Sequence, residues 1–177
     1  MKRASAKVRS KAARIRLLLL DVDGVLTDGR IIIDDRGIES KQFDVRDGQG
    51  IVLLIRAGVA VGFLTSRRSR IVARRAKELG VKLVHQGVRD KAETYEQIKK
   101  KTGFTDEEIA YMGDDLADLR ALRQVGFSIT VADGWPGLVP LVDYVTTASG
   151  GRGAVREVSE LLLTARKRWK AAVGNYY

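Results

Sequence analysis

Residues 17–29 read Leu17-Leu18-Leu19-Leu20-Asp21-Val22-Asp23-Gly24-Val25-Leu26-Thr27-Asp28-Gly29, and this stretch decides the fold. A leucine run with no polar alternation suits a short strand buried on both faces, as in a parallel sheet. The run stops at two carboxylates one residue apart, followed by a glycine. In an open α/β sheet, ligands gather beyond the carboxyl ends of the strands, where Asp21 and Asp23 would stand. Asp and Gly are also ordinary turn residues, so the stretch alone leaves a plain strand-closing turn open. The rest of the chain chooses between them.

Working outward, strand and helix signals alternate. Residues 30–33 and 39–43 flank Asp34-Asp35-Arg36-Gly37, a hairpin signal. Residues 50–57 form an apolar segment that Gly58 closes as a helix would be closed. Residues 59–64 read as a second buried strand ending at Thr65-Ser66-Arg67, and 68–79 as an amphipathic helix stopped by Gly80. A third strand over 81–84 precedes a charged helix over 91–101, and Thr105 to Glu108 fits a capping box. A fourth strand over 109–112 runs into Gly113-Asp114-Asp115. Then come a helix over 116–123, strands over 127–131 and 144–146, and a closing helix over 154–170. This alternation means βαβ units: a mainly parallel sheet with helices on both faces, a Rossmann-like three-layer α/β/α domain.

Composition narrows the chemistry. The 177 residues suffice for one domain with one sizeable core. With no cysteine, disulfides and thiolate metal sites are excluded; the single histidine, His85, excludes histidine-cluster zinc sites and histidine-based triads. His85 reads as a structural residue. Basic residues before the leucines mimic a secretory signal, but the apolar stretch between Arg16 and Asp21 is too short for one, and a cytoplasmic protein is expected. No apolar run is long enough for a membrane span.

The net charge of +10 sits at the two ends. Residues 1–16 hold seven basic residues (Lys2, Arg3, Lys7, Arg9, Lys11, Arg14, Arg16) and no acid, and 164–177 hold Arg166, Lys167, Arg168 and Lys170. Residues 17–163 keep 21 basic against 22 acidic residues. The expectation is a domain over 17–163 with solvated, partly frayed basic tails, and no nucleic-acid or membrane partner.

Polar residues now converge on one sheet edge: Asp21 and Asp23, Thr65, Lys91, then Asp114 with Asp118. A phosphate monoester reacts very slowly unless its charge is neutralised and a nucleophile is aligned. Asp21 and Asp114 can hold Mg²⁺, a hard cation that takes oxygen ligands. Asp21 can then attack phosphorus, Lys91 and the Thr65 hydroxyl can bind phosphoryl oxygens, and Asp23 can serve as acid and base.

This set resembles the haloacid dehalogenase superfamily of aspartyl-phosphate phosphatases, on Asp21-Val22-Asp23-Gly24-Val25-Leu26-Thr27, Leu64-Thr65-Ser66, Arg89-Asp90-Lys91 and Gly113-Asp114-Asp115-Leu116-Ala117-Asp118. The resemblance implies Asp21 as nucleophile and metal ligand, Asp23 as acid/base and ligand through its main-chain carbonyl, and Asp114 as third ligand. It places Asp118, and with it Asp115, behind these ligands. Two further segments, Lys41-Gln42-Phe43-Asp44-Val45-Arg46-Asp47-Gly48-Gln49-Gly50-Ile51 and Ser149-Gly150-Gly151-Arg152-Gly153-Ala154-Val155-Arg156-Glu157-Val158, look like the cap-less family of 3-deoxy-D-manno-octulosonate 8-phosphate (KDO 8-phosphate) phosphatases. That family serves lipopolysaccharide precursor synthesis. It implies a small β-hairpin in place of a cap domain and a homotetramer in which each hairpin covers a neighbour's site. The apolar run Ile31-Ile32-Ile33 agrees, because an isolated hairpin this apolar needs a partner surface.

The same resemblance implies a substrate segment of Asp44, Val45, Arg46, Asp47 and Gly48, further contacts from Asp23, Ser66 and Lys91, and Arg67 and Arg75 as the arginines that meet the sugar-acid end of the substrate, one of them across a subunit boundary. Arginine suits a sugar acid because its donors form a fork for a carboxylate. Ser66 stands where glycine is common in the family, Asp44 where asparagine is, and Val52 where an arginine often contacts substrate. These departures leave the exact sugar open. A nonulosonate 9-phosphate phosphatase is an alternative, which Arg67 opposes because that family favours an acidic residue there. A catalytically silent oligomerisation module is another, which the intact Asp21, Asp23, Lys91 and Asp114 oppose. Residues 150–153 read as a flexible hinge near the site.

Overall fold

The computed structural model describes residues 4–174, so Lys2 and Arg3 of the basic start lie outside the described residues. The chain opens with helix α1 (Ala6–Arg14), and the leucine run follows as β1 (Leu17–Leu20), every residue of it fully buried. Strand side chains alternate, so Leu18 and Leu20 enter one apolar cluster while Leu17 and Leu19 enter a second on the opposite face. One strand thus feeds two cores, which makes the domain three-layered. Each buried leucine is worth about 2 kcal/mol of transfer free energy.

After β1 the chain makes a separate antiparallel hairpin, β2 (Ile32–Ile33) and β3 (Glu39–Ser40), then helix α2 (Val45–Arg56). It continues as β4 (Ala60–Thr65), α3 (Arg70–Leu79), β5 (Leu83–Gln86), α4 (Lys91–Thr102), β6 (Ile109–Gly113), α5 (Leu119–Leu122), β7 (Phe127–Thr130), β8 (Tyr144–Val145), α6 (Ala154–Ala165) and α7 (Trp169–Val173). The main sheet runs β5-β4-β1-β6-β7-β8, and each neighbouring pair is parallel. Buried residues of α1, α2, α3 and α6 line the Leu18 face; those of α4 and α5 line the Leu17 face.

From β1 the chain moves outward to β4 and β5, then crosses back to the other side of β1 as β6. That reversal is a switch point, and the strands on either side of it end at Asp21 and Asp114.

Several expectations need correction. The basic N-terminus is not a frayed tail. Ser5 caps α1 by accepting from Val8 N at 3.2 Å, Ala12 and Ile15 are fully buried, and Lys11 Nζ lies 2.6 Å from Asp143. The closing helix does not reach residue 170. It breaks after Ala165, where Lys167 adopts φ 56, and α7 turns so that the Arg156 guanidinium lies 5.5 Å over the Trp169 ring. Helix α2 starts at Val45 and not at residue 50, because Asp44 caps it by accepting from Arg46 N at 2.6 Å. Its glycines are there for packing: a Cβ on Gly50 would come within 2.8 Å of Ser159 Oγ on α6. The third strand falls two residues later than expected, over Leu83–Gln86. Among the described residues no helix is long and apolar enough to cross a membrane.

Candidate active site

Asp21 extends the β1–β6 ladder, its N–H donating to Met112 O at 3.0 Å. Backbone therefore fixes where its carboxylate stands. Val22 N donates to Asp21 Oδ1 at 2.7 Å, and Lys91 Nζ lies 2.7 Å from Oδ2. Lys91 is the first residue of α4, held by its neighbour Asp90, which accepts from Ala92 N at 2.9 Å and Glu93 N at 3.2 Å. Its ammonium is buried and also lies 2.5 Å from Asp118 Oδ1.

Asp118 is fully buried and saturated. Oδ1 accepts from Lys91 and the Tyr111 hydroxyl, while Oδ2 accepts from Asp114 N at 2.9 Å and Asp115 N at 3.1 Å. One oxygen each of Asp21, Asp114 and Asp118 lies within 4.8 Å of the others. Of the three, Asp118 already spends both oxygens on four donors, so it anchors Lys91 and the β6 loop, and Asp21 and Asp114 are left to hold an ion. Tyr111 was missed in the sequence. A tyrosine in the otherwise apolar 109–113 strand was the signal, since a buried hydroxyl needs a partner.

Two glycines permit this crowding. Gly24 has φ 91, and a Cβ there would overlap the Asp114 carboxylate. A Cβ on Gly150 would overlap Gly24 O, and Gly151 N donates to Val25 O at 2.9 Å. The 150–153 segment, expected as a hinge, is packed as a buttress under the residue 21–27 loop.

Burial raises Asp21 from 3.8 to about 6, with Asp118 adding to the rise and Lys91 opposing it. Asp114 is raised to about 7, by burial first and then by Asp21 and Asp118. Burial alone would lower Lys91, but Asp21 and Asp118 outweigh it and keep the ammonium charged. Two carboxylates that repel one another in a buried pocket of oxygen donors are a fit for a hard divalent cation, Mg²⁺ in particular.

Thr65 ends β4, buried, with Oγ1 accepting from Arg67 N at 3.4 Å; Ser66 is exposed beside it. Asp23 Oδ1 is ion-paired with Lys41, and Arg67 Nη2 lies 2.7 Å from Glu39 Oε1. The Arg67 guanidinium holds Glu39 below the ordinary carboxylate range. Glu39 was not singled out from the sequence, and Lys41 entered only as the first residue of the 41–51 segment, with no role given to it. Both come from the returning side of the hairpin, and no local pattern announces that it folds back onto Asp23.

The 44–48 segment behaves differently from the loop expected. It is the cap and first turn of α2. Val45 is exposed, while Arg46 pairs with Asp44 at 2.7 Å and donates to Arg152 O at 3.2 Å. Asp44, Phe43, Gly151 and Arg152 line a cleft with Asp28. Asp47 is buried and accepts from Gly153 N at 3.1 Å and Arg156 N at 2.7 Å, so it ties α2 to the start of α6. Gly48 is buried, and a Cβ there would overlap the Arg75 guanidinium, which lies 5.8 Å over the Phe43 ring and 3.5 Å from Glu78. Arg75 therefore sits on the α2–α3 seam. Asp115 turns its carboxylate outward to cap Leu116 N at 2.7 Å, while its N–H donates to Asp118 Oδ2 at 3.1 Å.

Residues 64–157 match the model of the haloacid dehalogenase-like hydrolases, a span that takes in Thr65, Lys91, Asp114 and Asp118. The chain is 45% identical over 170 residues to the 3-deoxy-D-manno-octulosonate 8-phosphate phosphatase KdsC of Escherichia coli K12, covering 96% of this chain and 90% of that one. It belongs to the haloacid dehalogenase-like hydrolase family. Two solved hydrolases of this kind agree in fold. The Moraxella catarrhalis phosphatase, in complex with magnesium, phosphate and KDO, superposes with a TM-score of 0.94 at 43% identity, covering 97% of this chain and 98% of that one. A cobalt-bound Haemophilus influenzae phosphatase superposes with a TM-score of 0.86 at 41% identity, covering 89% and 92%. The sheet order, switch point and carboxylate cluster described above are thus those of a haloacid dehalogenase-like hydrolase.

Proposed function

We propose that this hydrolase is a Mg²⁺-dependent phosphatase that releases phosphate from KDO 8-phosphate through an aspartyl-phosphate at Asp21. The observation that carries the reading is the Lys91 ammonium held between Asp21 Oδ2 at 2.7 Å and Asp118 Oδ1 at 2.5 Å, beside the Asp114 carboxylate. A fixed cation there aligns the nucleophile and takes up phosphoryl charge as it develops. The Asp21 and Asp114 carboxylates and the Asp23 carbonyl would hold the Mg²⁺, which neutralises phosphate charge when bound.

Asp21 attacks phosphorus while the Asp23 carboxylic acid gives its proton to the departing sugar oxygen. Water then attacks the aspartyl-phosphate, its proton passing to Asp23, and phosphate leaves with Asp21 regenerated. Thr65 at the end of β4 binds a phosphoryl oxygen. Arg67 beside Asp23 supplies a guanidinium for the carboxylate of a sugar acid, and an arginine where the nonulosonate phosphatases favour an acidic residue supports KDO as that acid.

The hairpin belongs to the same reading. Ile31, Ile32, Ile33 and Ile38 are all exposed, at 58%, 41%, 57% and 54%. An apolar patch of this size on a two-stranded ribbon supports a homotetramer in which it covers a neighbouring site. The substrate, a soluble phosphate ester, supports a cytoplasmic setting.

Phosphate release from KDO 8-phosphate with Mg²⁺, measured for the wild type and for Asp21→Asn, tests the reading. Release that vanishes in the folded variant and with EDTA supports it; equal turnover by the two proteins sinks it.

A further inference from the structure

The two oxygens of Asp23 have unequal surroundings. Oδ1 is ion-paired to Lys41, whose side chain is only 2% exposed and whose Nζ also lies 3.6 Å from Glu39 Oε1. Oδ2 is buried and has no hydrogen-bond partner among the described residues; Arg67 Nε stands 3.9 Å from it. Burying an ammonium to this degree costs desolvation energy that a surface lysine does not bear. The ionic partners of Lys41 among the described residues are Asp23 and the hairpin's Glu39. Its burial serves the Asp23 carboxylate.

We infer that Lys41 is a positioning residue for the acid/base step. By holding Oδ1 it fixes the orientation of the Asp23 carboxyl for proton transfer. In the first half-reaction Asp21 bonds to phosphorus, the ester P–O bond cleaves, and the Asp23 O–H bond breaks as the ester oxygen takes the proton. In the second, water loses a proton to the Asp23 carboxylate as its oxygen bonds to phosphorus and the Asp21–phosphorus bond breaks. Glu39 braces Lys41 from the hairpin side, so the hairpin's returning strand is tied to the proton-transfer group. This inference rests on the phosphatase reading above.

The test separates proton transfer from phosphoryl binding by the leaving group. KDO 8-phosphate releases an alkoxide that needs a proton, whereas p-nitrophenyl phosphate releases an anion that leaves unaided. Lys41→Met is expected to slow the first half-reaction, read as the pre-steady-state burst of the leaving group, by about 30-fold or more for KDO 8-phosphate and by no more than about threefold for p-nitrophenyl phosphate, while the water step, common to both, slows alike. Lys41→Arg, which keeps a cation, should recover most of the loss. Since Lys41→Met leaves Glu39 and Asp23 facing one another, Glu39→Gln/Lys41→Met is measured alongside; it relieves that repulsion without restoring the hold, and the same split is expected. Equal losses in the first half-reaction on both substrates, or no loss on either, overturn the inference while leaving the phosphatase reading standing. A wild type inactive on both substrates overturns that reading and this inference with it.

Discussion

Lys91 Nζ lies 2.7 Å from Asp21 Oδ2, and both groups are buried at the carboxyl edge of the sheet. The pair is what separates this strand end from an ordinary Asp-Gly turn. Removing the cation leaves Asp21, Asp114 and Asp118 facing one another with no counter-charge. Lys91→Met is therefore expected to lose about 10²-fold or more in kcat, as removal of a preorganised charge-stabilising donor does elsewhere. Steady-state phosphate release measures it, and turnover near the wild-type level would remove Lys91 from the mechanism.

Metal-free stability should fall as pH rises. Asp21 and Asp114 bind protons more tightly folded, at about 6 and about 7, than unfolded, near 3.8. Their folded values are raised, so their favourable contribution is present at low pH and is lost as pH climbs from about 4 through 7. Mg²⁺ replaces the protons, so its stabilising effect runs the other way. Thermal melts with EDTA and with Mg²⁺ at pH 5 and pH 8 should show the larger Tm gain at pH 8; a larger gain at pH 5 contradicts the assignment of these carboxylates.

Gly24→Ala would put a methyl group where the Asp114 carboxylate sits, at a φ of 91. The side chain of Asp114 can swing away more easily than the backbone can move. The expected result is a folded protein whose activity needs at least about tenfold more Mg²⁺, a penalty of about 1.4 kcal/mol on metal binding. Titrating activity with Mg²⁺ measures the shift, and an unchanged half-saturation would show that Gly24 does not set the place of Asp114.

Asp47→Ala separates structure from substrate binding. Asp47 accepts two backbone N–H groups at the start of α6 and is buried. Losing it should cost about 2 kcal/mol of stability by leaving those donors unpaired, with KM for the sugar phosphate unchanged. Denaturant melts and steady-state kinetics together decide; a raised KM at full stability would return Asp47 to the substrate.

What could be read from the sequence was local. The Leu17–Leu20 run, the carboxylates that end β1 and β6, and the Lys91 that opens α4 sit where short-range signals place them. What could not be read depends on distant segments. Lys41 reaches Asp23 only because the hairpin returns, and Asp47 is consumed by α6, more than a hundred residues away in sequence. Helix α1 was hidden because Ala12 and Ile15, its buried contacts, lie among seven basic residues that suggested a solvated tail. Asp115 was placed behind the metal ligands by its neighbours' motif, yet its side chain satisfies the adjacent Leu116 N–H first.

The central claim is that Asp21 becomes covalently phosphorylated. Acid-quenching the enzyme during turnover of KDO 8-phosphate with Mg²⁺, reducing it with borohydride and sequencing the peptides by mass spectrometry tests this directly. Borohydride converts an acyl phosphate to homoserine, so homoserine at position 21 is the predicted result. Homoserine at another carboxylate, or none at all while phosphate is being released, would contradict the account.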